Sequence, residues 1–89
     1  MRQTHWTRIA ERMRAALMMT YPTIAWRTEL FAAPGDAHPT ACAGIAVHAR
    51  RGAAEHAIRV PATAIEHTPL RELVHGIYAE VAQRLGPIP

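Results

Sequence analysis

The chain has 89 residues, a length that allows one domain, and we assign residues 1–89 to it. Its basic side chains are ten arginines and no lysine, and seven carboxylates reduce the net charge to +3, which by itself is weak support for a polyanion partner. Cys42 is the single cysteine, which excludes an intramolecular disulfide and fits a reducing cytoplasm. No apolar run reaches the roughly 20 residues that cross a bilayer, so we expect no membrane partner.

An amphipathic helix is predicted at the N-terminus, from a cap at Thr4 to about Thr20, and Pro22 ends it. With side chains placed about 100° apart, one stripe of this helix contains Trp6, Ile9, Ala10, Met13, Leu17 and Thr20. Arg8 and Arg12 lie on the opposite side and Arg14 lies at the boundary. The apolar stripe is therefore expected to face the core.

Three strands are predicted next, because the hydrophobic period changes to two from Thr23. They cover about Thr23–Phe31, Thr40–Ala49 and Glu55–Val60, with a loop over Ala33–Pro39 and a turn at Arg50-Arg51-Gly52. One face of the resulting sheet carries Ile24, Trp26, Ile45, Val47, Ile58 and Val60.

The last element is a second amphipathic helix, with Thr68 as its cap, Pro69 at its first position and Gly86-Pro87 at its end. Residues 62–67 fit either a turn or a backward extension of this helix. The order helix, three strands, helix predicts a two-layer α+β fold, in which an antiparallel meander has both helices on one sheet face. Which face they cover is inferred from its apolar side chains.

The opposite sheet face is the first candidate site, because small residues of the central strand are flanked there by charged and aromatic ones. Such a flat strip lets another protein approach closely. The alternative is that the alanines only reflect a GC-rich genome and have no role in binding. We therefore expect a non-enzymatic protein-binding module, an inhibitor or adaptor of the phage type, that contacts a protein partner or a second copy of itself. The predicted contact residues are Arg27, Glu29, Phe31, Ala46, His48 and Arg59.

Nucleic-acid binding is the alternative. The order of elements resembles that of double-stranded RNA-binding domains, as do the chain length and the Gly-, Pro- and His-containing loop of residues 34–39. Those domains begin their final helix with lysines, whereas this chain has Thr68-Pro69-Leu70-Arg71-Glu72. The arginines that would contact phosphates are Arg8, Arg12, Arg14, Arg50 and Arg51.

No catalytic, cofactor or metal site is predicted. The six histidines and Cys42 show no metal-ligand motif, serine is absent, and the five glycines form no phosphate loop. We therefore expect no small-molecule substrate. His48 and His56 flank a hairpin turn, which leaves open whether a histidine binds a metal.

Overall fold

A three-stranded antiparallel sheet flanked by helices forms the fold, as the sequence predicts. The computed structural model of the chain describes residues 2–31 and 43–86. Strand order is β1-β2-β3, which places β2 in the centre. The elements are α1 (Arg2–Thr20), β1 (Ala25–Phe31), β2 (Gly44–Arg51), β3 (Ala54–Pro61), α2 (Ala62–His67) and α3 (Leu70–Leu85). The predicted loop and the predicted start of the second strand, together with Cys42, lie outside the described residues.

The core lies between the helices and one side of the sheet, which we call the inner face. Met13 and Leu17 of α1, Ile45 and Val47 of β2 and Val81 of α3 are fully inaccessible to solvent. Both tryptophans are buried in the same cluster, as expected. The indole N–H of Trp26 donates to the carbonyl oxygen of Tyr21 (3.1 Å), and the Tyr21 ring stacks on Tyr78 with centroids 3.8 Å apart. These rings tie the end of α1 to β1 and α3.

The hairpin between β2 and β3 is tighter than predicted. Arg50 and Arg51 are the last residues of β2 and not part of the turn, because Arg51 pairs with Ala54 in the ladder. Only Gly52 and Ala53 connect the strands, and Gly52 has a φ of 61°. Two-residue hairpins commonly need a positive φ at the first turn position, which glycine adopts without strain.

The helix starts also differ from the predictions. Thr4 lies within α1, which already begins at Arg2, since arginine and glutamine favour helix. Residues 62–67, left open by the sequence, form the separate helix α2. Thr68 follows α2 in an extended conformation, as expected before a proline, and it does not cap α3. Pro69 precedes α3, whereas the predicted end of this helix at Gly86, with a φ of 88°, is confirmed.

Candidate functional site

The side of the sheet away from the helices, called here the outer face, contains every predicted protein-contact residue. Strand alternation and the register place three cross-strand rows together: Phe31–Gly44–Pro61, Glu29–Ala46–Arg59 and Arg27–His48–Ala57. Beyond them lies a fourth row, Ala25–Arg50–Glu55. The apolar residues of the helices pack against the inner-face cluster, and the long charged side chains of the outer face remain exposed.

One end of the outer face is built from an aromatic ring over a glycine. A Cβ atom at Gly44 would lie 2.8 Å from Cζ of Phe31, so the ring occupies the space that a side chain would need. The guanidinium of Arg59 lies 5.3 Å from the centroid of the Phe31 ring, within the range of a cation–π contact. Ala46, between Glu29 and Arg59 in the register, is only 6% exposed. A partner would therefore meet Phe31 and Arg59 more than Ala46 itself.

The middle of the outer face carries an ion pair. His48 Nε2 lies 2.8 Å from Glu29 Oε1, and Arg27 Nη1 lies 3.8 Å from the other carboxylate oxygen. The hydrogen bond and the charge of His48 lower the pKa of Glu29 below its ordinary value, and Arg27 and Arg59 add to this effect. Glu29 is consequently an ionised carboxylate over the physiological pH range, in a setting of positive charge.

A hollow of about 210 Å³ lies at the far end of the outer face. It is lined by Ala25, Trp26, Arg27, His48, Arg50 and Glu55. We call this the basic hollow. Arg50 donates from Nε to the carbonyl oxygen of Gly52 at 3.2 Å, which holds the root of its guanidinium in place. Sequence reasoning divided these side chains between two hypotheses, with Arg27 and His48 in one and Arg50 in the other; the structure brings them together.

The period of two could have placed Arg50 on the outer face. Arg50 stands two residues after His48, so a strand continued past Ala49 places both on one face. Assigning Arg50 to a turn removed it from that pattern. Glu55, the ladder partner of Arg50, stands two residues before Ala57 on the third strand, so the same alternation places it on this face.

The arginines of the nucleic-acid hypothesis lie in different places. Arg51 points away from its neighbour Arg50 and donates to the carbonyl oxygens of Leu85 and Gly86 at the end of α3. Arg12 lines a hollow with residues of α2 and α3, whereas Arg14 lines another with β1 residues and lies 3.4 Å from the Met18 sulfur. Arg8 and Arg12 are exposed and four residues apart on α1, whereas Arg50 lies on the outer face and Arg51 at the end of α3, so the five arginines do not form one surface.

The two hairpin histidines lie on opposite faces. His48 pairs with Ala57 in the ladder and belongs to the outer face, whereas His56 pairs with Ala49 and lies 2.9 Å from Glu80 of α3. They do not meet across the hairpin. Among residues 2–31 and 43–86, no three His, Cys, Asp or Glu side chains are grouped to hold a metal ion. None of the helices in this part of the chain has the length and apolarity needed to span a bilayer.

Comparison with known proteins identifies no family model, no curated protein and no solved structure that matches this chain. The geometry and chemistry of the outer face therefore carry the functional inference.

Proposed function

We propose that this protein is a non-enzymatic, cytoplasmic protein-binding module, an inhibitor or adaptor, whose outer face is the contact surface. The observation that supports this most is the gathering of Arg27, Glu29, Phe31, His48 and Arg59 on the sheet face that the described helices leave uncovered. Aromatic and arginine side chains supply much of the binding energy at protein interfaces.

The size of the outer face favours a short segment of the partner. Seven residues along β1 and three strands across give an area of roughly 24 by 14 Å, or about 340 Å². A stable globular interface buries about 800 Å² on each partner, more than twice this area. An extended segment lying along the strands matches the outer face better than a flat domain surface does.

Nucleic acid fits the outer face less well. Glu29 and Glu55 lie among its arginines, and a phosphate backbone would bring negative charge against both. The arginines of α1 lie elsewhere, as described above. A nucleic-acid interaction through Arg8, Arg12 and Arg14 would be independent of the outer face and strongly dependent on salt.

Photo-crosslinking in cells that express the protein tests the proposal. A benzoylphenylalanine at Ala57, exposed on the outer face, is compared with one at Ala79, exposed on α3. We expect a discrete protein adduct from position 57 only, lost when Arg59→Glu is added, with circular dichroism showing that the variant is folded. Adducts from both positions, or an Ala57 adduct that Arg59→Glu leaves unchanged, would contradict the proposal.

Fluorescence polarisation with labelled duplex RNA, duplex DNA and single strands covers the other class of partner. We expect no binding at physiological salt. Binding at that salt which Arg8→Glu weakens and Arg59→Glu spares would instead assign the protein to nucleic acid.

A further inference from the structure

We propose that the basic hollow is a carboxylate-binding site, which receives one acidic side chain of an extended protein segment lying along β2. This inference rests on the proposed function, since it names the chemistry by which the outer face recognises its partner. It concerns Arg27, His48 and Arg50, a set that neither sequence hypothesis contained.

Two arginines line the hollow, whereas Glu55 is the single carboxylate among its lining residues. Glu29 is bound by His48 and approached by Arg27 from one side. Arg50, by contrast, has no ion pair with a carboxylate in residues 2–31 and 43–86, although Glu55 is its ladder partner. Its Nε donates to the carbonyl oxygen of Gly52, so the two Nη groups remain as donors for a ligand.

The geometry suits a carboxylate. Arg27 and Arg50 come from neighbouring strands and line the same hollow of about 210 Å³, which admits a small planar anion between them. Guanidinium groups bind carboxylates through two parallel N–H···O bonds, and such charge-assisted bonds are stronger than neutral ones. The carbonyl of Gly52 restrains Arg50, so less side-chain freedom is lost on binding.

A protein carboxylate is favoured over a phosphate chain because the hollow is bordered by negative charge. Glu55 lines the hollow and Glu29 lies beside it on β1, so one anion fits while a series of phosphates would be repelled. The Phe31–Gly44 row lies four residues from the Arg27–His48 row of the hollow along both strands, about 14 Å away. An extended segment would therefore place an apolar side chain against Phe31 four residues from its acidic one.

Peptide titration of the ¹⁵N-labelled protein tests this inference directly. The probe is the capped peptide Glu-Thr-Thr-Thr-Leu, which is compared with Gln-Thr-Thr-Thr-Leu and with Glu-Thr-Thr-Leu-Thr. We expect the first peptide to shift the amide signals of Arg27, His48 and Arg50. Loss of the charge-assisted bonds should weaken the glutamine peptide about tenfold. The shifted leucine should also weaken binding, because it moves to the other side of an extended chain.

Two variants keep the test decisive. Arg50→Gln should abolish the preference for Glu over Gln, whereas Arg84→Gln, at an exposed site on α3, should leave it intact. Arg27→Gln removes the other arginine of the hollow and should also reduce the preference for Glu over Gln. Equal affinity for the two peptides, or a preference that survives Arg50→Gln, would overturn the inference, as would tighter binding of inorganic phosphate or duplex RNA at the same amides.

The crosslinking experiment separates the two levels of proposal. If Ala57 yields an adduct that Arg59→Glu removes but Arg50→Gln does not, the outer face binds protein without the carboxylate contact, and only this inference fails. If no adduct forms at Ala57 and the peptides do not bind, both fail.

Discussion

The first half of strand β2, Gly44 to Val47, is buried on both faces of the sheet, but by different means. Ile45, Val47 and Ala49 on the inner face are completely buried in the apolar cluster with the helices. Gly44 and Ala46 on the outer face are buried although the helices pack on the opposite side. The Phe31 ring occupies the space beside Gly44, and the guanidinium of Arg59 lies over that ring. Side chains in the close-packed core cannot change conformation without disturbing their neighbours, whereas side chains at the surface can change rotamer to make room for a partner.

The largest expected effect lies on the inner face. Ile45→Ala removes a fully buried side chain and should lower the free energy of unfolding by about 2–5 kcal/mol, through lost burial and the cavity left behind. On the outer face, Arg59→Ala removes an exposed side chain and should cost less than about 1 kcal/mol. Urea denaturation of both variants measures this contrast. Similar losses for the two would show that the outer face is also part of the core.

The next comparison uses two glycines, because replacing each with alanine should change the free energy of unfolding in opposite directions. A Cβ at Gly44 would collide with the carbonyl oxygen of Val60 as well as with Phe31. Gly44→Ala should therefore lower the free energy of unfolding by about 1–3 kcal/mol. Gly76 lies within α3, where a Cβ atom would point into open space with no neighbouring atom within 4 Å, so Gly76→Ala should raise it by roughly 0.5–1 kcal/mol.

Thermal and urea unfolding of these two variants give the measurement. A Gly44→Ala protein as stable as the wild type would mean that β3 shifts easily away from β2. The backbone of the outer face would then be as adaptable as its side chains.

Much of the fold could be predicted because it follows from periodicity. The alternation of Ile24, Trp26, Ile45 and Val47 identified the inner face, and the sites of Phe31 and Arg59 on the outer face followed from the same rule. The ends of the helices and strands were predicted less accurately, because they were assigned from single capping and turn residues. Glycine and two arginines were assigned to one turn, although arginine is fully compatible with a strand.

Contacts across the sheet could not be predicted from spacing. The position of the Phe31 ring over Gly44 depends on side-chain rotamers, and the pairing of Arg51 with the end of α3 depends on how the helix docks. The basic hollow needed both the register and the strand end at Arg51 to be known.

A third test uses neighbours on one strand. Arg51 donates to carbonyl oxygens at the end of α3, where a cation also interacts favourably with the helix dipole. Arg51→Gln should therefore lower the free energy of unfolding by about 1 kcal/mol. Arg50→Gln, one residue away on the outer face, should leave stability within about 0.5 kcal/mol of the wild type. Equal losses of unfolding free energy in urea denaturation would show that the contact of Arg51 with the end of α3 does not stabilise the fold.

The smallest expected effect concerns the ion pair of the outer face. The pKa of Glu29 is lowered in the folded protein by His48, Arg27 and Arg59, relative to an ordinary value of 4.5. A carboxylate with a lowered folded-state pKa stabilises the protein above its ordinary pKa, and this contribution is lost as the pH falls through the folded-state value. Glu29→Gln should therefore be slightly less stable than the wild type near about pH 5.5, with the difference shrinking as the pH falls through the lowered folded-state pKa of Glu29.

A double-mutant cycle with His48→Gln isolates this pair from general effects of the substitutions. Near about pH 5.5 the losses from Glu29→Gln and His48→Gln should be less than additive, because either change removes the same 2.8 Å contact. Once the pH is well below the lowered pKa of Glu29, the carboxyl is protonated and the coupling should disappear. Coupling that persists at low pH would mean that neutral hydrogen bonding, and not charge, holds this contact on the outer face.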